Sequence, residues 1–159
     1  MPNDLINNDP LVSQNFFLEI DGEVITMLSG VSGLDVEVDV ASIQQVGKNG
    51  MSQTVKTVAS RNKAGDLSLT RMAPLDATAD EIWKWFKTIR DGGLKVTDRA
   101  AGRKNGSVVV YDSTRTEVAR FNFFNGWPSK IATDGLSADS NDPVKETITL
   151  VIERLERAK

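Results

Sequence analysis

Thr78-Ala-Asp-Glu-Ile-Trp-Lys-Trp-Phe-Lys-Thr-Ile-Arg90 reads as one amphipathic helix set between two blocks of alternating residues, and that setting decides the fold. Thr78, with Glu81 three positions on, has the spacing of a capping box. Asp80 and Glu81 lie in the first turn and Lys87 and Arg90 near the end, where they complement the helix dipole. Ile82, Trp85, Phe86 and Ile89 recur at helical spacing, so one apolar stripe must be buried against a sheet or a neighbouring subunit. Trp83 falls off the centre of that stripe. Gly92-Gly93 is the expected stop.

Upstream, Phe16-Phe-Leu-Glu-Ile20 and Glu23-Val-Ile-Thr-Met-Leu28 flank Asp21-Gly22, a strong short-range signal for a hairpin. Gly30 and Gly33 suggest a bend, a bulge or a close backbone approach. Leu34-Asp-Val-Glu-Val-Asp-Val40 alternates cleanly and predicts a strand with one buried face. Residues 44–64 are the least regular part and are expected to form a long loop. Such loops inside small domains are usually functional. Gly65 to Ala73 resumes alternation, with Leu67, Leu69 and Arg71 on one phase.

Downstream, strands are expected over 107–112, 116–124 and 144–155, where Ile148, Leu150 and Ile152 share a face. Lys130-Ile-Ala-Thr133 extends the middle one. Trp127-Pro128 marks an edge or kink, because proline donates nothing to a ladder. Residues 98–105 and 134–143 are polar loops. The expectation is a mainly β protein: an antiparallel β-barrel or sandwich of about six strands with one flanking α-helix. Residues 1–159 form a single domain in this reading, with an N-terminal arm over 1–13.

Composition narrows the chemistry. The chain has no histidine and no cysteine. That removes thiolate sites, the usual zinc triads and a histidine general base. Nineteen basic and 22 acidic residues give a net charge of −3, which is not the basic footprint of a nucleic-acid binder. The glycines at 30, 33, 47 and 50 match neither a dinucleotide fingerprint nor a P-loop. Asp134, Asp139 and Asp142 do not have calcium-loop spacing. Phe121, Phe123, Phe124 and Trp127 lack the interleaved bases of a stacking platform, so core packing is their simpler reading. No catalytic residue, cofactor or metal is expected. The start of the chain has no basic and apolar leader pattern, and cytoplasmic synthesis is expected.

The order of elements carries a resemblance. Phe16 to Gly22, Val31-Ser-Gly-Leu34, Leu67 to Arg71, the helix with Trp85, Phe121-Asn-Phe-Phe-Asn-Gly-Trp-Pro-Ser-Lys130 and the closing strand 146–157 together resemble the tail tube family of contractile phages and phage-like contractile injection systems. Ser32, Gly33, Leu34, Trp127, Pro128 and Lys130 are the motif positions. Members of that family are similar in fold to the haemolysin-coregulated protein of type VI secretion, although this chain does not read like that branch. The resemblance implies hexameric rings stacked into a hollow tube inside a sheath. Baseplate or spike proteins and a cap lie at the ends, and protein effectors or DNA pass through the lumen. It places the mature chain in a phage tail or in a virion-like particle of the kind released from the cell.

On this reading Asp35, Glu37 and Asp39 face the lumen. Gln45, Lys48, Met51, Val55, Val58 and Arg61 lie in the 44–64 inter-subunit loop, and Ile82, Trp85, Phe86 and Ile89 pack the helix on the barrel. The physics agrees: a small barrel with open strand edges is expected to pair them with copies of itself. The rival reading is a monomeric small-barrel module that binds a ligand or protein in its mouth. A hydrolase built on Asp35, Glu37 or Asp39 ranks last, because nothing in the sequence pairs them with a second acid.

Overall fold

Asp21 and Gly22 adopt φ of 52° and 85°, left-handed values that suit a tight hairpin between twisted strands. They join β1 (Asn15–Ile20) to β2 (Glu23–Leu28). The computed structural model describes residues 15–92 and 102–159, with backbone alone over 60–63. The chain continues through β3 (Gly30–Ser32), β4 (Glu37–Val46), β5 (Ser52–Lys63) and β6 (Leu67–Met72). Helix α1 (Glu81–Gly92) follows, then β7 (Lys104–Tyr111), β8 (Glu117–Thr133), β9 (Lys145–Val151) and β10 (Arg154–Arg157). The expected arm over 1–13 and Gly93 lie outside the described residues.

Eight strands form one antiparallel sheet in the order β2-β1-β7-β8-β9-β6-β3, with β10 added along β8. The two ends of that path, β2 and β3, are consecutive pieces of one extended segment. Between them the Ser29 amide donates to the Thr70 carbonyl at 2.7 Å, carrying the segment from β1 across to β6. The sheet therefore closes into a barrel within one chain, with the outer edge of β10 left without a ladder partner among the described strands. Closure is what removes edges in small antiparallel folds.

The 17-residue β8 serves both halves of the barrel, pairing β7 along its first part and β9 along its second. Asn125 at its centre has φ 53° beside a register shift, and a second shift follows Pro128. Pro128 is fully buried at that bulge, so it kinks the strand rather than ending the sheet. The predicted closing strand divides at Ile152-Glu153 into β9 and β10, which return to opposite ends of β8. Leu18, Leu67, Leu69, Val108, Phe123, Ile148 and Leu150 fill the interior, and Ile82 and Trp85 of the helix join them.

Two sequence expectations fail in one place. Residues 44–64 are not a loop. β4 and β5 pair over most of their length as a separate two-stranded sheet, turning at 47–50. The polar Gln, Ser and Thr residues obscured its alternation. The predicted strand 34–40 is also displaced: it begins at Glu37, and only Leu34 of its apolar set packs on the core. Val36, Val38 and Val40 are exposed, with Val36 and Val38 bordering a cleft beside Glu153, Arg154, Leu155 and Glu156.

The neck of the arm rests on Gly33. Its φ is +84°, and an added Cβ would stand 2.2 Å from the Asp66 carbonyl oxygen. β3 and β6 pair immediately inside this point, so the contact sets the angle at which the arm leaves the barrel. Gly33→Ala is expected to cost about 2–3 kcal/mol through left-handed strain and the backbone clash. A urea titration that finds the variant within about 0.5 kcal/mol of the parent would remove Gly33 from this role.

Candidate functional site

The arm is built from strand-forming residues with no core beneath them. Pairing of Val40 with Val58 and of Ile43 with Val55 puts one apolar cross-strand pair on each face of the ribbon. Val46 and Met51 flank the turn and are each 74% exposed. A lone two-stranded ribbon is marginal in water, and apolar side chains on both faces make it more so. Among the described residues no third strand pairs along the outer edge of β4 or β5. The arm thus offers both a ladder edge and apolar surface.

A second apolar surface lies on the outside of the barrel. Register places Phe17 opposite Met27 of β2 on the face away from the core, while its other neighbour, Val109 of β7, is fully buried. Phe17 meets Tyr111 edge-on at 5.4 Å. A groove of about 500 Å³ runs here, lined by Phe17, Val24, Met27, Tyr111, Asp112 and Arg115. Beside it Arg120 bridges Glu19 at 2.9 Å and Glu117 at 2.7 Å. The hydrogen bond from Arg120 holds the Glu117 carboxyl below its usual range. The same two carboxylates push the arginine up further.

The helix is fixed to the barrel by a buried ionic cluster. Arg71 of β6, 2% exposed, donates through Nη1 and Nη2 to the two Asp80 oxygens at 2.8 and 2.7 Å. Nη2 also reaches Glu146 of β9 at 3.3 Å. The other Glu146 oxygen accepts from the Trp83 indole at 3.1 Å. Asp80 caps the helix, accepting from the Trp83 amide at 3.0 Å. The expected Thr78–Glu81 capping box does not form. Thr78 donates instead to Asp76, and Glu81 pairs with Lys84. Asp80 wins because its carboxylate both caps the helix and meets the arginine fork.

Burial alone would raise the Asp80 carboxyl, but the Arg71 and Trp83 donors outweigh it and hold it below the usual value. A depressed carboxylate contributes stability that is present above the ordinary value near 4 and is lost as pH falls through the lower folded value. Urea midpoints should therefore fall as the pH is lowered below about 4. Asp80→Asn should flatten that part of the slope. An unchanged slope would show that the acid sensitivity lies elsewhere.

Of the four stripe residues, Ile82, Trp85 and Ile89 meet the core, whereas Phe86 lies beside Trp83 and Arg90. Ile82 and Trp85 are buried, Ile89 packs against the core, and Phe86 is half-buried against Trp83. The Trp85 indole donates to the Gly102 carbonyl at 2.7 Å. Leu34 and Trp127 pack on the core, while Ser32 and Lys130 are exposed.

Asp35 precedes β4 and Asp39 sits at its register shift, so the three acids do not form the regular strand row read from sequence. Gln45, Lys48, Met51, Val55 and Val58 lie exposed on the arm, and Arg61 belongs to β5 by its backbone. Sequence reasoning missed the Arg71–Asp80–Glu146 cluster. Its signal was an arginine in phase with Leu67 and Leu69, a position that demands buried acids. Among the described residues no group of three or more acids is placed to hold a metal, and no helix is long and apolar enough to cross a membrane. What the surface offers is contact area.

The family model described as T4-like virus tail tube protein gp19 matches residues 12–156. The chain belongs to the tail tube protein family. Solved structures agree in fold. A chain in the cryo-EM structure of the anti-feeding prophage cap aligns with TM-score 0.74 and 17% identity, covering 99% of this chain and 96% of that one. A chain in the sheath–tube complex of the PVC extracellular contractile injection system aligns at 0.70 and 19% identity, covering 99% and 97%. Hcp1 from Flavobacterium johnsoniae aligns at 0.53 and 16%, covering 91% and 95%. No curated protein sequence matches the chain. This tail tube protein is a structural subunit of a phage tail or contractile injection particle.

Proposed function

We propose that this tail tube protein closes into hexameric rings that stack as the hollow inner tube of a contractile particle. A sheath surrounds the tube, a cap and a baseplate with its spike bound the ends, and sheath contraction drives the tube through a target envelope. The lumen passes a protein effector or DNA, and neither the subunit's folding nor its ring contacts require a cofactor. The observation that carries this reading is the arm. Among the described residues the ribbon has apolar side chains on both faces and no third strand along its ladder, which is surface that a second chain would cover. Strand edges of the arm supply continuity between subunits, and contacts that do not close around the axis generate a filament.

The test is direct. Purified protein at rising concentration should give rings or tubes by negative-stain microscopy and a multi-subunit mass by light scattering. A monodisperse monomer at high concentration, with the arm folded on its own barrel, would overturn the proposal and favour a monomeric binding module.

A further inference from the structure

We propose that Asn49-Gly50, at the turn of the β4–β5 arm, is a site of spontaneous covalent modification that closes to a succinimide and opens to aspartate or isoaspartate. The chemistry needs only this chain and water. The Gly50 amide nitrogen gives its proton to base and attacks the Asn49 side-chain carbonyl carbon. A new C–N bond closes the ring, the bond to the side-chain nitrogen breaks, and ammonia leaves. Water then cleaves one of the two C–N bonds of the ring. Cleavage at the side-chain carbonyl gives aspartate, and cleavage at the main-chain carbonyl routes the backbone through the side chain as isoaspartate. Glycine makes the attack feasible, because no Cβ restricts the rotation that brings its nitrogen onto the asparagine side chain.

The sequence holds three Asn-Gly pairs, at 49–50, 105–106 and 125–126, and the fold leaves the first free to react. Gly106 lies inside β7, in register with Ile20 on one side and Phe123 on the other. The Asn105 side-chain oxygen accepts from the Asn125 backbone amide at 2.9 Å. The Asn125 side-chain amide donates to Glu153 at 2.9 Å, and Gly126 is buried against Phe123 and Ile152. Reaction at either pair waits for the β7–β8 ladder to open. At 49–50 both residues are exposed, and the Asn49 side chain makes no hydrogen bond among the described residues. Open space surrounds Gly50, whose φ is +72°. One restraint remains, the bond from the Gly50 amide to the Gly47 carbonyl at 3.0 Å. An exposed hydrogen bond of that kind slows the step by roughly tenfold at most. The barrel pairs are held back by roughly a thousandfold or more, since small domains open with equilibrium constants of about 10³–10⁸ against them.

The product places a carboxylate next to Lys48. The isoaspartate form also adds one carbon to the main chain inside a turn that sets Val46 opposite Ser52. The consequence for assembly rests on the tube reading: a subunit that ages before it assembles carries an altered arm tip and is left out of the tube.

The full chain, incubated in neutral and in mildly alkaline buffer and then digested for mass spectrometry, should gain the amide-to-acid mass in the peptide that carries residue 49. The rate should rise in proportion to hydroxide. Methyl transfer from S-adenosylmethionine by protein isoaspartyl methyltransferase should mark the isoaspartate fraction. Peptides carrying residues 105 and 125 should lag by roughly a thousandfold in the folded chain and react at comparable rates in urea. Asn49→Gln keeps an amide at an exposed position but requires a larger ring, and it should abolish the signal. When aged and fresh chains are mixed and assembled, the modified chain should be enriched roughly tenfold in the unassembled fraction, as expected for a charge placed in an interface. No mass gain at residue 49, or equal rates at all three pairs in the folded chain, would overturn the modification site and leave the tube reading standing. Equal shares of modified chain inside and outside the tubes would overturn its exclusion. A parent chain that never assembles would overturn the tube reading while the chemistry at residue 49 stood.

Discussion

Arg71→Ala is expected to destabilise the fold by about 3–5 kcal/mol, the range seen when one partner of a buried ion pair is removed. Small domains have about 5–15 kcal/mol in total, so the variant should be largely unfolded in moderate urea. The reason is geometric. Arg71 sits inside the barrel wall and holds Asp80 bidentately while reaching Glu146. Removing it leaves two poorly solvated carboxylates facing each other with no cation. Both also hold Trp83, one through the helix-cap amide and one through the indole. The helix should therefore loosen with the cluster. Arg71→Lys keeps one charge but loses the planar fork, and an intermediate loss is expected. Urea unfolding followed by tryptophan fluorescence measures both. An Arg71→Ala midpoint within error of the parent would mean that the cluster contributes no net stability.

Shortening the arm is expected to do the reverse, abolishing assembly while sparing the fold. Replacing residues 41–57 by Asn-Gly should leave the stability of the barrel within about 1 kcal/mol, because the removed side chains are exposed and the core lies elsewhere. Val40 pairs with Val58, so the shortened turn joins residues already opposed in the ladder. The same deletion removes the Ile43–Val55 pair, Val46, Met51, Lys48 and Lys56. Rings and tubes should be absent at every attainable concentration. Tubes of normal length from the shortened chain would show that the arm carries no stacking contact. Loss of the folded barrel would show that the ribbon supports its own domain after all.

Much of this architecture was legible from residues alone, because two periodicities separate cleanly. The helical spacing of Ile82, Trp85 and Ile89 and the period-2 runs around Leu67 and Ile148 each name one buried face. Asp21-Gly22 specified its hairpin because its left-handed geometry needs those residue types. The arm was less legible. Its two strands carry Gln, Ser, Thr and Lys between apolar residues on both faces, and without a single buried face no clean alternation appears. The helix start was misplaced by two residues for a related reason. Thr78 and Asp80 are both good caps, and only the position of Arg71, nine residues earlier and on another strand, selects Asp80.

The sequence by itself determined the local elements, the absence of histidine and cysteine chemistry, and the succession of strands, helix and strands that places the chain among tail tube proteins. Those properties depend on neighbours within a few positions, or on an order of motifs that needs no coordinates. Tertiary structure decided the rest. It closed the barrel through Ser29, bent β8 at Asn125 and Pro128, gathered Arg71, Asp80 and Glu146 from three separate segments, and left an apolar ribbon and an apolar outer groove uncovered. Each of those outcomes requires residues far apart in the chain to meet, or to fail to meet, and periodicity along a strand does not encode which.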